Sequence, residues 1–581
     1  MKRTGQLTGG QIVVRALEDE GIELAFGIPG THNIELYDAL AESATVRTVL
    51  VTDEQSASFM ADGAWRASGR MACANLVPGA GLTHALSGIC EAWLDNVPML
   101  VLGCGIRRDT GRAYQLHDVD QQAMVRPVTK GTFLPLTGTE LYGALREACR
   151  LARAGAPGPV FVEVPADLYL KRHGVELPWP ADPPTDQPTF DAGLLDPVMA
   201  LLAGARHPLL YVGAGAAAAA KEVVDLAERI EAPVATTFQG KGVFPESHPL
   251  FLWPGFGEAA PPFARKVARS RDLTLAVGCR FGEVGTGSYG LTPPGPLVHV
   301  DIDFDVLGRN YPAEVAVCSD AGVFLRALLG RLEAEGVRRP FDDLLRDEIR
   351  EGHEDVRQGW MDRTPKGVRP PALLGTCQEL LGPDTIFTTD SGNGTFLAME
   401  CLRLEEPGKF LAPVDYSCMG YAVPAALGAK LARPDCPVVA LAGDGAFLMT
   451  GLELATASAE GIGVIVLVLR DMELAQIAQF QATAMNRKVS SEVSPYDLKG
   501  LAQGVGAAYL AMPDDGHARR VLEEAAELAA QDRPVLVEVA IDYSEKTFFT
   551  RGVIRTNLLR LPLRDRLRFV GRAVMRKLTE G

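Results

Sequence analysis

Apolar residues along this chain follow two alternating rhythms. Short, largely apolar runs such as 24–27, 73–77 and 464–469 alternate with longer stretches in which apolar positions recur every three or four residues. The runs fit strands buried on both faces of a parallel sheet, and the longer stretches fit the helices that cover it. The pattern is sharpest over residues 438–473. An apolar run, 438–442, stops at Gly443-Asp444-Gly445. A helical pattern follows, with Phe447, Leu448, Leu452 and Leu454 on its apolar side. A second run, 464–469, stops at Arg470-Asp471. This is a strand–loop–helix–strand unit with an acid at the carboxyl end of each strand. Parallel strands bring those ends to one sheet edge, where open α/β sheets bind ligands. Asp444 and Asp471 can therefore converge, although 471 − 444 = 27 positions separate them. Two carboxylates facing a glycine-lined helix N-terminus suit a divalent cation carrying a phosphate. The same letters also suit a solvated acidic turn.

The alternation predicts two further units of the same kind. In the first, strands at 24–27, 46–51, 73–77, 98–102 and 160–164 alternate with helices that include 56–68 and 83–93. Thr8 and Gln11 form a capping box ahead of the first helix. A Pro- and Asp-rich stretch, 174–190, predicts a linker, and strands at 208–212, 232–235, 275–278 and 298–303 predict a second unit. Its Gly213 and Gly215 are half of a dinucleotide fingerprint, a weak signal by itself. A charged, poorly periodic stretch, 338–369, predicts a second linker. The third unit holds the opening motif, the turn Thr389-Asp390-Ser391-Gly392-Asn393-Gly394, and the turn Tyr416-Ser417-Cys418-Met419-Gly420. The expected architecture is α/β, with three doubly wound parallel-sheet domains at 1–172, 190–337 and 370–552. Residues 555–581 form a basic amphipathic tail, with Leu563, Leu567, Val570, Val574 and Leu578 at helical spacing among six basic residues. Such a helix packs on the acidic surface of its own chain or touches an anionic membrane or partner.

Composition narrows the functional classes. A chain of 581 residues exceeds one core, and a net charge of −16 argues against general nucleic-acid binding. The opening MKRTGQLTGG lacks the apolar core of a secretory signal, so a cytoplasmic location is expected. The ten cysteines show no metal-ligand spacing and read as reduced thiols.

Several motifs then occur in a telling order. They are Phe26-Gly27-Ile28-Pro29-Gly30, Asp53-Glu54-Gln55-Ser56-Ala57, Gly79-Ala80-Gly81-Leu82-Thr83, Gly240-Lys241-Gly242-Val243-Phe244-Pro245-Glu246 and Met419-Gly420-Tyr421-Ala422-Val423-Pro424, followed by the opening motif. Over nearly its whole length the chain resembles the acetolactate synthase-like family of thiamine diphosphate enzymes. The resemblance implies pyrimidine-binding, central and diphosphate-binding domains. It also implies a homo-oligomer whose sites lie between subunits, with Glu54 from one chain and Asp444 and Asp471 from the other. Glu54 would hydrogen-bond the cofactor's pyrimidine ring; read alone, it could equally cap the following helix. Ser417 and Met419 would hold the pyrimidine, with Met419 as an apolar wedge. Ser391, Gly392, Asn393, Gly394, Gly445 and Ala446 would contact the diphosphate. Mg²⁺ would be held by Asp444, Asp471 and the main-chain oxygen of Glu473.

The sequence also departs from the family pattern. Arg470-Asp471 replaces Asn-Asn, Phe480 replaces an acceptor-pocket tryptophan, and Gly79-Ala80-Gly81 replaces Gly-Pro-Gly. His117 and Thr31 occupy positions that face the substrate in relatives, and His32 and His84 are further candidate proton donors. The implied reaction is decarboxylation of a small 2-oxo acid with carboligation. The alternatives are a decarboxylase that releases aldehyde and a flavin-dependent, pyruvate oxidase-like enzyme. FAD is compatible with the resemblance but not indicated by it.

Overall fold

The structure is a computed structural model that describes residues 3–177 and 190–579. Three six-stranded sheets carry it, each parallel throughout and covered by helices. The first runs, edge to edge, Arg47–Leu50, Leu24–Gly27, Cys73–Leu76, Leu100–Gly105, Val160–Pro165, Thr132–Phe133. The third runs Phe410–Leu411, Ile386–Thr389, Val438–Gly443, Ile465–Leu469, Val535–Val539, Ala508–Met512. Numbered along the chain, both have the order 2-1-3-4-6-5. The central sheet, Phe251–Pro254, Val234–Thr236, Pro208–Val212, Leu273–Val277, Leu297–Asp301, Val315–Cys318, has the order 3-2-1-4-5-6. In the outer domains the strand order reverses between strands 1 and 3, and a ligand crevice opens beyond their carboxyl ends.

Three elements differ from expectation. Arg172–Leu177 is a strand, pairing antiparallel with Arg3–Thr8, where the expected linker begins; the rest of that linker lies outside the described residues. The expected second linker contains a helix, Asp343–Met361, whose Leu345 and Ile349 join the central core. Its period is faint because few of its residues are apolar. The helix Ala475–Met485, just past the acidic pair, receives the tail helix Leu563–Thr579, with Arg576 Nη1 donating to the Met485 carbonyl (2.8 Å). The tail thus rests on an uncharged helix rather than on acidic surface, and Leu563, Leu567 and Val574 face solvent.

One hydrophobic core spans the first and third domains. Helix Glu54–Ser68 packs along helix Ala422–Ala432. The approach is so close that a Cβ on Gly63 would lie 2.3 Å from the Ala425 carbonyl oxygen, and one on Gly428 would lie 2.0 Å from that of Met60. Only glycine permits this contact. It fixes the two outer domains against each other.

Candidate active site

In the third domain, register does the positioning. Gly443 pairs with Leu469 across the parallel ladder, so Asp444 and Asp471 emerge at one edge. Asp444 Oδ2 accepts the N–H of Met472 (2.7 Å), which holds a left-handed φ of 61°. Asp471 Oδ1 accepts the N–H of Glu473 (3.3 Å). Burial pushes the Asp471 carboxyl up to about 7, with further help from its neighbour Asp444. Burial also raises Asp444, against the pull of several backbone N–H groups. Two carboxyls crowded together in a buried place resist joint ionisation unless a cation joins them. Hard oxygen donors in that state fit Mg²⁺. The Glu473 side chain is engaged by Lys488.

The same crevice gathers the glycine turn. Strand Ile386–Thr389 ends in buried Asp390, which accepts the N–H of Ala422 (3.0 Å). Ser391 follows: its hydroxyl meets that of Ser417 (2.7 Å), and its N–H donates to the Cys418 carbonyl (3.2 Å). Gly392, at φ 140°, precedes helix Asn393–Cys401, and Asp444 opens helix Asp444–Thr450. Two helix N-termini therefore face one crevice, an arrangement that favours an anion. A Cβ on Gly394 would lie 3.3 Å from Leu469, at a strand end, and one on Gly445 would lie 2.6 Å from Leu474, in the loop after it, so both backbones lie tight against their neighbours. Ser417 holds φ 68°, a strained value for a non-glycine residue that costs about 1–3 kcal/mol and marks functional turns. Met419 stands half-buried two residues on.

Arg470 serves this site from behind. Its Nε pairs with Glu538 (3.1 Å), Nη2 donates to the Tyr496 carbonyl (2.8 Å), and the guanidinium lies 4.3 Å from the Tyr496 ring centroid. The Tyr496 hydroxyl donates in turn to the main-chain oxygen of Asp444 (2.9 Å). Arg470 is thus a strut beneath the acidic pair.

In the first domain the equivalent edge carries different groups. Asp53 caps helix Glu54–Ser68 by accepting the Gln55 N–H (2.7 Å), and Glu54 begins the helix, 7% exposed. His84 Nδ1 stands 3.3 Å from Glu54 Oε2. This contact was not apparent from the sequence, although His84 sits one helical turn past the Gly79–Ala80–Gly81 motif. A Cβ on Gly81 would meet both Glu54 Oε1 (3.0 Å) and Val77 (2.8 Å), and Val77 also abuts Gly30. Beside Gly79 lies His117, at φ 64°. Its ring meets that of His32 edge-on at 5.5 Å, and His32 Nδ1 lies 3.2 Å from the Thr31 hydroxyl. Burial, then the nearby His117, lowers the His32 pKa. Thr31, His32, His117 and Glu54 therefore share one sheet edge. Among the described residues, no hydrogen bond or ion pair joins Glu54 to Asp444 or Asp471.

Surface apolarity flanks both edges. Along the helical segment that starts at Asp444, Phe447 and Leu454 are buried as expected, but Leu448, Met449 and Leu452 face outward. Tyr114, 99% exposed, and Leu116 protrude near His117. Among the described residues, no helix is long and apolar enough to cross a membrane.

A crevice lined by two buried acids and two helix N-termini in one domain, a buried glutamate on the matching edge of its topological twin, and a doubly wound domain between them define a class. The chain belongs to the thiamine pyrophosphate enzymes. Residues 7–124 match the N-terminal TPP binding domain of that family, 195–328 the central domain, and 390–539 the C-terminal TPP binding domain. Within the class it is acetolactate synthase-like. It is 31% identical to the acetolactate synthase large subunit of Corynebacterium glutamicum over 92% of this chain and 87% of that protein. It is 31% identical to the probable acetolactate synthase large subunit of Methanocaldococcus jannaschii, over 93% of each. The Haemophilus influenzae large subunit is 28% identical over 94% of this chain and 96% of its own length. These relatives, with the three matched domains, make the chain a thiamine diphosphate-dependent enzyme of the carboligase type.

Proposed function

We propose that the enzyme requires Mg²⁺ as well as thiamine diphosphate, decarboxylates a small 2-oxo acid, and joins the remaining fragment to a second carbonyl compound. The observation that carries this reading is the buried Asp444–Asp471 pair beside two helix N-termini at a topological switch point. Asp444, Asp471 and the Glu473 main-chain oxygen hold the metal. Ser391, Gly392, Asn393, Gly394, Gly445 and Ala446 bind the diphosphate through their backbone. Ser417 and Met419 hold the pyrimidine, with Met419 as the wedge. Bound thiamine diphosphate supplies a carbon nucleophile and an electron sink for the departing carboxylate. Glu54 holds a proton at the pyrimidine ring, and its burial strengthens that contact. Thr31 and His117, with His32 beside them, orient the substrate and carry a proton to it.

Glu54 and the acidic pair serve one site shared between two chains, so the unit is a cytoplasmic homodimer or a larger even assembly. The outward-facing Leu448, Met449, Leu452, Tyr114 and Leu116 support that arrangement. The test is a panel of 2-oxo acids with thiamine diphosphate and MgCl₂, with and without an aldehyde acceptor, and products identified by mass. Coupled products support the reading; free aldehyde alone makes the enzyme a simple decarboxylase. A flavin-dependent, pyruvate oxidase-like reading has one observation in its favour. A cavity of about 1680 Å³ lies among the three domains, lined by Gly215, Thr237, Gly278 and Arg280 of the central one. Purified protein without flavin absorbance would remove that reading.

A further inference from the structure

Helix Ala80–Leu94 carries a buried acid that the site described so far does not use. Glu91 is 0% exposed. Its Oε2 accepts the backbone N–H of Cys418 (3.1 Å) from the third domain, across 327 residues of sequence. Its Oε1 is buried without a hydrogen-bond partner. The Cys418 peptide is thus held on both sides: its N–H by Glu91 and its carbonyl by the Ser391 N–H. It lies between strained Ser417 and Met419.

The charges around Glu91 do not balance. On the neighbouring helix, Arg66 pairs with Asp62 (2.6 Å) and Asp95 (2.9 Å). Asp62 also accepts the Tyr421 hydroxyl, and Asp95 accepts the N–H groups of Val414 and Asp415 (3.2 Å each). Arg280 is taken by Asp415 (2.6 Å). Among the described residues, no cation pairs with Glu91, and its remaining titratable neighbours are the thiols of Cys90 and Cys418 and the phenol of Tyr416. Burial first, and Asp95 second, push the Glu91 carboxyl up to about 9.

We infer that Glu91 is a positioning residue, pinning the Cys418 peptide from the first domain and so fixing where Met419 stands. The inference rests on the proposed roles of Ser391, Ser417 and Met419. A neutral acid can accept from Cys418 while its own O–H lies towards Asp95; an ionised one sets two buried carboxylates against each other. A glutamine keeps the neutral acceptor, whereas alanine removes it.

The test is calorimetric titration of thiamine diphosphate, with MgCl₂, into the full-length wild type, Glu91→Gln and Glu91→Ala, at pH 7 and over a series to pH 9.5. Substrate is absent. The expected result at pH 7 is an affinity about tenfold or more weaker in Glu91→Ala and within about threefold of wild type in Glu91→Gln, the loss matching one hydrogen bond to a fixed group. Wild type should also lose affinity as pH rises through about 9, and Glu91→Gln should lose less. Two results would overturn the inference: Glu91→Ala binding like wild type, or Glu91→Gln following the wild-type alkaline decline. If Glu91→Ala does not fold, Glu91→Leu, which removes the acceptor but keeps the volume, takes its place with the same expected loss. A wild type that binds no thiamine diphosphate at any pH would instead overturn the functional reading.

Discussion

The first and third domains set their six strands in the same order, 2-1-3-4-6-5, and open a crevice at the same topological point. In the third domain two acids, a glycine turn and two helix N-termini converge there. In the first, one buried glutamate stands among imidazoles and a threonine hydroxyl. The path of the chain decides where a ligand can lie; the residues after each strand decide what can lie there. One crevice suits a cation and an anion, the other suits proton traffic. Within one chain, the close helix pair at Gly63 and Gly428 holds the two domains, and so the two crevices, at a fixed separation.

The difference can be broken from either side. Removing the acid pair should do most damage. Asp444→Ala is expected to abolish Mg²⁺-dependent cofactor binding and to lower kcat/KM by about a thousandfold or more; calorimetry and turnover assays read both, and EDTA should mimic the loss in wild type. Glu54→Gln should separate binding from chemistry. It leaves metal and cofactor affinity within a few-fold of wild type while turnover falls by about a hundredfold to a thousandfold.

The acid pair should also carry a pH effect. The Asp471 carboxyl is raised from 3.8 to about 7. A carboxyl raised on folding favours the native state below its unfolded value, and that advantage is lost as pH rises through the folded value. The cofactor-free protein should therefore become less stable between about pH 4 and pH 7, and Mg²⁺ should reverse this. Mg²⁺ affinity itself should rise over the upper part of the same window, with proton release. Melting curves with and without MgCl₂ check the sign. The smallest effect belongs to the strut. Arg470→Met should cost about 1–2 kcal/mol of stability and weaken metal binding only a few-fold, as denaturant and Mg²⁺ titrations would show.

Much of this was readable in the sequence where signals are local. The run at 24–27 is the strand Leu24–Gly27, and 438–442 falls short of Val438–Gly443 by one residue. Asp444 and Asp471 share an edge because a parallel ladder leaves few other options. Two-residue strands such as Thr132–Phe133 and Phe410–Leu411 carry no period to detect. The helix Asp343–Met361 hid behind its charges. Leu448 and Leu452 matched an apolar helical face but point outward, since a pattern of letters does not say whether the partner is the same chain. Arg470 departs from the family letters, and its reason lies in space: Glu538 and Tyr496 enclose its guanidinium. Contacts such as Glu91 to Cys418 or Thr52 to Glu453 join residues more than 300 positions apart and leave no local trace.

The central claim is that one working site combines the Glu54 edge of one chain with the Asp444 edge of another. Co-expressing Glu54→Gln and Asp444→Ala chains, then assaying the purified mixture, tests it directly. Each mixed dimer would contain one site with both native groups and one with neither. The account predicts recovery of about a quarter of wild-type turnover from a statistical mixture of twofold dimers. Activity no higher than that of the two parents would contradict it, because sites built within single chains would each keep one defect.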